Sequence, residues 1–200
     1  MTAGRHLVLA SASPARLRLL RAAGIGAEVV VSGVDESEVR SPGAGEAVAT
    51  LARMKAEAVA GRCGPGALVL GCDSLLDLDG EVLGKPVDTD EALRWWRARR
   101  GRRGTLLSGH HLIDTTSGRA TGAVSSTVVH FGHPSEEEIA AYVGSGEPLG
   151  VAGGFTLEGR GAPLVDRIEG DPGTVIGLSL PLLRSLLVEL GHHIFELWTS

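Results

Sequence analysis

Apolar residues fall along this chain in short runs separated by glycine, proline and acidic turns, and the runs alternate between strand-like and helix-like spacing. Leu7 to Ala10 is unbroken and apolar, the pattern of a short buried strand. From Pro14 to Ala23 the spacing of Leu17, Leu19 and Leu20 is helical, and Gly24 stops it. Ala27 to Val31 reads as a second apolar strand and Glu46 to Ala60 as a long alanine-rich helix. Leu68 to Cys72 is a third buried strand. Leu75 to Leu78 follows as a strand, then a turn at Asp79-Gly80 and a return through Val82-Leu83, since an Asp-Gly pair suits a tight hairpin. Asp90 to Arg99 is helical, and Thr105 to Asp114 with Ala120 to Phe131 forms a long antiparallel pair. Ser135 caps a helix whose first turn is Glu136-Glu137-Glu138. Strands are expected at Gly154 to Leu157 and Leu164 to Ile168, and a last helix at Leu180 to Leu190. Without a strict βαβ repeat the class is mixed α/β (α+β), in one domain spanning residues 1–200.

Composition narrows the function. With 43% hydrophobic and 22% charged residues, the chain is an ordinary globular protein rather than a disordered or fibrous one. No apolar run reaches the roughly 18 residues of a membrane span. Pro14 and a cluster of arginines after the short apolar N-terminal segment argue against a signal peptide. Cys63 and Cys72 lack the spacing of a zinc site and read as reduced thiols of a cytoplasmic protein. The net charge of −5 argues against bulk nucleic-acid affinity. The exception is the segment from Arg94 to Arg103, with six arginines and two tryptophans. It is read as the solvated face and C-terminal turn of an amphipathic helix. Of the nineteen basic side chains only Lys55 and Lys85 are lysines, in a chain with no asparagine or glutamine.

Three segments carry candidate chemistry. In Leu9-Ala10-Ser11-Ala12-Ser13-Pro14-Ala15-Arg16 a buried strand turns into a helix, with Ser13 at the N-cap and Pro14 at the first helical position. Free amides, the helix dipole, two hydroxyls and Arg16 could cradle a phosphate, or the segment is simply a well-capped helix. Gly71-Cys72-Asp73-Ser74 sets a carboxylate at the carboxyl end of a strand, where α/β folds assemble sites, unless Asp73 only caps a turn. Val34-Asp35-Glu36 brings acids that could reach a divalent ion or form a solvated loop. Gly84-Lys85-Pro86 presents Lys85 on a rigid turn, and Lys55 is expected on the helix face opposite the alanine stripe.

Taken in order, these segments resemble the Maf family of nucleoside triphosphate pyrophosphatases, once described as septum-formation inhibitors. The resemblance also runs through Ala52-Arg53-Met54-Lys55-Ala56, Asp79-Gly80-Glu81-Val82-Leu83-Gly84-Lys85-Pro86, Gly146-Glu147-Pro148-Leu149 and Gly170-Asp171-Pro172-Gly173-Thr174-Val175-Ile176-Gly177-Leu178, nearly the whole chain. It implies an elongated central mixed sheet flanked by helices, with a nucleotide cleft between two lobes. It implies hydrolysis of a nucleoside triphosphate to monophosphate and pyrophosphate with a divalent cation, Mg²⁺ or Mn²⁺. Asp73 matches the family's proton acceptor; Ser11, Arg16, Lys55 and Lys85 match phosphate-contacting positions, and Glu36 an acidic position near the metal, which Asp73 would share. Ser13, Ser74 and Glu158 complete the expected substrate-binding set.

Three positions depart from the family's best-known branches. The position after Ser-Pro, often arginine, is Ala15. The dTTP/UTP branch resembles Ala-Asp-Thr at the catalytic strand and has glutamine in place of Glu158; the 7-methyl-GTP branch shares the glutamate but carries tryptophan at 15 and glutamine at 74. Ala15, Ser74 and Glu158 together fit neither branch, so a broad base preference is expected, in a housekeeping role of cleaning nucleotide pools. The competing expectation is a nucleotide-binding regulator of cell division with little turnover. Expected partners are the triphosphate substrate and at most a second copy in a homodimer, with no nucleic acid and no membrane.

Ser108, His110, His111 and Asp114 invite a hydrolase triad, but they follow one another along one strand, and alternation sends the two histidines to opposite faces. His192 and His193 are expected at the surface. Gly153-Gly154 and Gly159-Arg160-Gly161 lack the GxGxxG pattern of a dinucleotide loop.

Overall fold

A computed structural model of the chain describes residues 5–36, 39, 41 and 43–199. Its strands are β1 (His6–Ala10), β2 (Ala27–Val29), β3 (Ala67–Leu78), β4 (Glu81–Leu83), β5 (Arg103–Asp114), β6 (Ala120–Phe131) and β7 (Val165–Glu169). They form one mixed sheet in the order β2-β1-β3-β5-β6-β7, with β4 paired to β3. The helices are α1 (Pro14–Ala22), α2 (Ala44–Ala60), α3 (Thr89–Arg99), α4 (Glu136–Gly144), α5 (Pro172–Ile176) and α6 (Leu180–Glu189). The chain resolves into two compact units, neither of them a contiguous segment. The first holds the residues up to Asp73, Ser108–Ser125 and those from Gly177 onward; the second holds Ser74–Leu107 and Ser126–Ile176.

In the first unit β1 runs parallel to both β2 and β3, with Leu7, Val8 and Leu9 opposite Leu68, Val69 and Leu70. This unbroken apolar run is buried on both faces. On one side lies a leucine-rich cluster including Leu20, Ile25, Leu112, Leu183, Leu186 and Leu187; on the other Ala56 and Val59 of α2 pack against Val8 and Val69. The alanines of α2 recur at helical spacing and let its axis come close to the sheet. Buried Asp114 ties the end of β5 to the last helix region, receiving hydrogen bonds from Arg5 and Ser117 and lying 3.4 Å from His192 Nε2. His192 is therefore buried, contrary to the surface position expected for it, while His193 is exposed.

The second unit is built around aromatic rings. Trp96 meets Phe131 and Tyr142 edge-on, Phe131 meets Phe155, and the Trp96 indole donates to the Gly154 carbonyl. The β3–β4 hairpin turns through Asp79 and Gly80, both at positive φ, as the Asp-Gly pair requires. Ser135 caps α4 as expected, and Glu138 reaches back to close a capping box.

Several expectations are corrected. Leu68–Cys72 and Leu75–Leu78 are one continuous strand, because the intervening Asp73 stays in the ladder instead of turning. Residues 154–157 form no strand; Gly153 and Gly154 sit at positive φ, which breaks the extended run. The second strand is shorter than the apolar run and exposes Val29 and Val31.

The arginine-rich end of α3 is solvated only in part. Arg97 and Arg100 pair with Glu136. Arg99, however, is wholly buried, its guanidinium 4.9 Å from the Trp96 and Phe131 ring centres. Its Nε donates to the Trp95 carbonyl, and both terminal nitrogens lack a hydrogen-bond partner among the described residues. Burial pulls its pKa down to about 9, so it stays charged at neutral pH. Ring contacts return about 0.5–2 kcal/mol, less than the cost of burying an unpaired charge. Arg99→Met should therefore stabilise the protein by about 1–3 kcal/mol in denaturant unfolding. An unchanged or lower stability would mean that the ring contacts outweigh desolvation.

Candidate active site

The parallel register sets the site. Ala10 lies opposite Gly71, so Ser11, just past the carboxyl end of β1, comes out beside Cys72 and Asp73 in the middle of the longer β3. Here α1 begins. Ser13 is its N-cap and accepts from the Arg16 N–H, with Pro14 in the first turn where no amide partner is needed. Ser11 Oγ accepts from the Ser13 N–H.

Arg16 turns back from α1 into the protein instead of pointing to solvent and is only 8% exposed. Its Nε donates to the Gly177 carbonyl at 2.8 Å, and its Nη1 donates to Ser11 Oγ and to the Cys72 carbonyl, both at 2.9 Å. One guanidinium thus fixes the end of β1 to the middle of β3, using the rigid fork that distinguishes arginine from lysine.

Beside it lies the ion cluster. Lys55 Nζ is 2.6 Å from Asp73 Oδ1 and 2.5 Å from Glu36 Oε1. Lys55 and Asp73 are almost completely buried, whereas the Glu36 side chain is half exposed. Lys55 is therefore on the inward face of α2, between Ala52 and Ala56, not on the face opposite the alanines as the sequence pattern indicated. The reason is close packing. A Cβ at Gly71 would lie 2.1 Å from the Ala52 carbonyl oxygen and 2.7 Å from the Ala56 nitrogen, and one at Gly109 would lie 2.2 Å from the Val48 carbonyl oxygen. The backbone of α2 rests on two glycines, and the lysine stem fits where a longer separation would leave its ammonium short of Asp73.

Burial pushes the Asp73 carboxyl above its usual range; Lys55 and Arg16 oppose that rise, and Glu36 adds to it. The carboxylate is thereby more basic than a surface aspartate, as a proton acceptor requires. Neighbouring Cys72 is a buried free thiol pushed up to about 11 by desolvation, which makes it a poor nucleophile at neutral pH.

The structure thus brings together Ser11, Ser13, Arg16, Glu36, Lys55 and Asp73, all in the first unit. Ser74, half-buried, Lys85, exposed on the loop after β4, and Glu158, also exposed, belong to the second unit. The hydrolase triad is absent: Asp114 bonds to Arg5 and Ser117, and the His110 ring lies between the Ser108 carbonyl and the Ser179 amide. Gly177 and the two close-packed glycines were not singled out as site-building by sequence; a glycine interrupting an apolar strand, as at 71, is the signal that could have flagged one of them.

Comparisons with known proteins place the chain in a family. Residues 6–190 match the family model described as Maf-like protein. A Streptomyces coelicolor protein named nucleoside triphosphate pyrophosphatase is 62% identical over 97% of this chain and 95% of its own length. Proteins of the same name from a Synechococcus strain and from Cutibacterium acnes are 52% and 47% identical, each over 96% of this chain and over 98% and 94% of their own lengths. With the match spanning both the capped turn into α1 and the Asp73 strand, the chain belongs to the Maf-like protein family.

Proposed function

We propose that this protein hydrolyses nucleoside triphosphates to the monophosphate and pyrophosphate, in the cytoplasm, as a cleaner of nucleotide pools with broad base preference. The observation that carries the reading is the buried Asp73–Lys55 pair beside Arg16 and Ser11, in a chain whose relatives are named for this activity. Water attacks the α-phosphorus, the new P–O bond forms as the α–β anhydride breaks, and pyrophosphate leaves. Asp73 Oδ1 is held by Lys55, so Oδ2 takes the proton of the attacking water. Lys55, Arg16 and the first amides of α1 neutralise charge on the phosphates.

A divalent cation fits the donor set. Two carboxylates, Asp73 and Glu36, converge on one ammonium, and Mg²⁺ takes one or two protein carboxylates, completing its shell with water and phosphate. Among the described residues no group of three or more His, Cys, Asp or Glu side chains could hold a metal alone, so the remaining ligands would come from substrate and solvent. When bound, the cation supplies charge neutralisation on the triphosphate and acidifies water.

The broad preference is supported by the small side chains at Ala15 and Ser74. Pyrophosphate release measured across canonical and modified triphosphates with Mg²⁺ or Mn²⁺ should give turnover on several bases at comparable kcat/KM. One substrate preferred by several orders of magnitude would overturn the broad preference. Binding without release would overturn the enzymatic reading in favour of a nucleotide-sensing regulator. No helix among the described residues is long and apolar enough to cross a membrane.

A further inference from the structure

We propose that His110 is a positioning residue for the phosphate site, acting through the turn Gly177-Leu178-Ser179 to hold Arg16 in place. The inference rests on the reading of Arg16 as a phosphate contact. His110 is 1% exposed, on the inward face of β5. Its Nε2 is 2.8 Å from the Ser179 backbone nitrogen, and its Nδ1 is 3.1 Å from the Ser108 carbonyl oxygen. These two neighbours decide the proton's place. A backbone N–H only donates, so Nε2 must be the bare, accepting nitrogen; a carbonyl only accepts, so Nδ1 must carry the hydrogen. Both contacts are satisfied only by the neutral ring in its Nδ1–H form.

The turn it grips is the one that holds Arg16. Two residues before Ser179, the Gly177 carbonyl accepts from Arg16 Nε. Gly177 sits at φ 115°, a conformation open to glycine, and the turn has little intrinsic preference for that geometry. It is pinned at three points: Leu178 is fully buried in the leucine cluster, Ser179 caps α6 through the Leu182 N–H, and the Ser179 N–H goes to His110. The cap and the leucine fix where the turn is; the histidine bond fixes the Leu178–Ser179 peptide plane, the next one after the plane that carries the Gly177 carbonyl. Removing it leaves a buried N–H without its acceptor and frees the carbonyl that aims the guanidinium. The same guanidinium bonds Ser11 and the Cys72 carbonyl, so the path runs from β5 through the turn to the end of β1 and the middle of β3.

The test uses the full-length protein and inorganic tripolyphosphate as a base-independent probe, its affinity measured by calorimetry beside kcat and KM for a triphosphate. His110→Leu should weaken tripolyphosphate about tenfold and raise KM more than it lowers kcat. His110→Gln, whose amide oxygen can accept from the Ser179 N–H, should restore affinity to within about threefold of wild type. In an Arg16→Ala background His110→Leu should add nothing, since the effect passes through Arg16. Additive losses, or a leucine variant that binds like wild type while Arg16→Ala does not, would overturn the inference. If Arg16→Ala itself leaves tripolyphosphate affinity unchanged, the reading of the site fails instead. Should His110→Leu not fold, imidazole ¹⁵N spectra of the wild-type protein still decide: a His110 ring carrying its hydrogen on Nε2 would exclude the bond on which the argument depends.

Discussion

Asp73→Asn is expected to lower kcat for pyrophosphate release by about 10²–10⁴-fold while changing nucleotide affinity little. The substitution keeps the shape of the side chain, and the amide oxygen can still accept from Lys55 Nζ, which lies 2.6 Å from Oδ1 in the wild type. What disappears is the group proposed to take the proton from water. The surrounding cations stay in place, because Arg16 is anchored by Gly177, Ser11 and the Cys72 carbonyl rather than by Asp73. A stopped-assay measurement of pyrophosphate, paired with calorimetric binding of a triphosphate, separates the two effects. An asparagine variant retaining more than a tenth of wild-type kcat would remove Asp73 from the role of base.

The second large effect concerns stability. Gly71→Ala should destabilise the protein by about 3 kcal/mol and impair turnover together. The added methyl meets the Ala52 carbonyl and the Ala56 nitrogen, both backbone atoms of α2, so a rotamer change cannot relieve the clash. The helix must shift away from β3, and Lys55, carried between those two alanines, moves with it. Gly64→Ala is the matched control, since nothing lies within 4 Å of its Cβ position and it is not at positive φ. That change should be neutral or slightly stabilising through the unfolded chain. Denaturant unfolding of the two variants checks the contrast, and a Gly71→Ala protein as stable as the control would contradict the close approach.

Much of the local structure around the candidate site was legible in the sequence. Ser13 and Pro14 announce a helix start by chemistry that is local, and the structure has both where that chemistry puts them. The Asp-Gly turn and the Ser135 cap were equally readable, since each is closed by groups within four residues. The errors share another cause. The face of α2 that carries Lys55 was misjudged because a lysine between alanines looks like a solvent residue until a buried carboxylate is placed opposite it. Arg99 was read as solvated because its neighbours in sequence are charged, while its neighbours in space are aromatic rings. His192 was taken for a surface residue because nothing near it in sequence indicates Asp114, 78 residues away.

Lys55 and Lys85, the two lysines in a chain of arginines, show where the division falls. The sequence by itself determined the alternation of strands and helices, the capped entry to α1, the family, and the residue types available for phosphate chemistry. These depend on local hydrogen bonding, backbone preference and apolar periodicity, all carried by adjacent residues. Only the tertiary structure decided that Lys55 is buried against Asp73, that Arg16 points inward, and that His110 holds the turn at Gly177. Each depends on strands and helices far apart in sequence meeting at fixed register, and on glycines that let α2 approach the sheet.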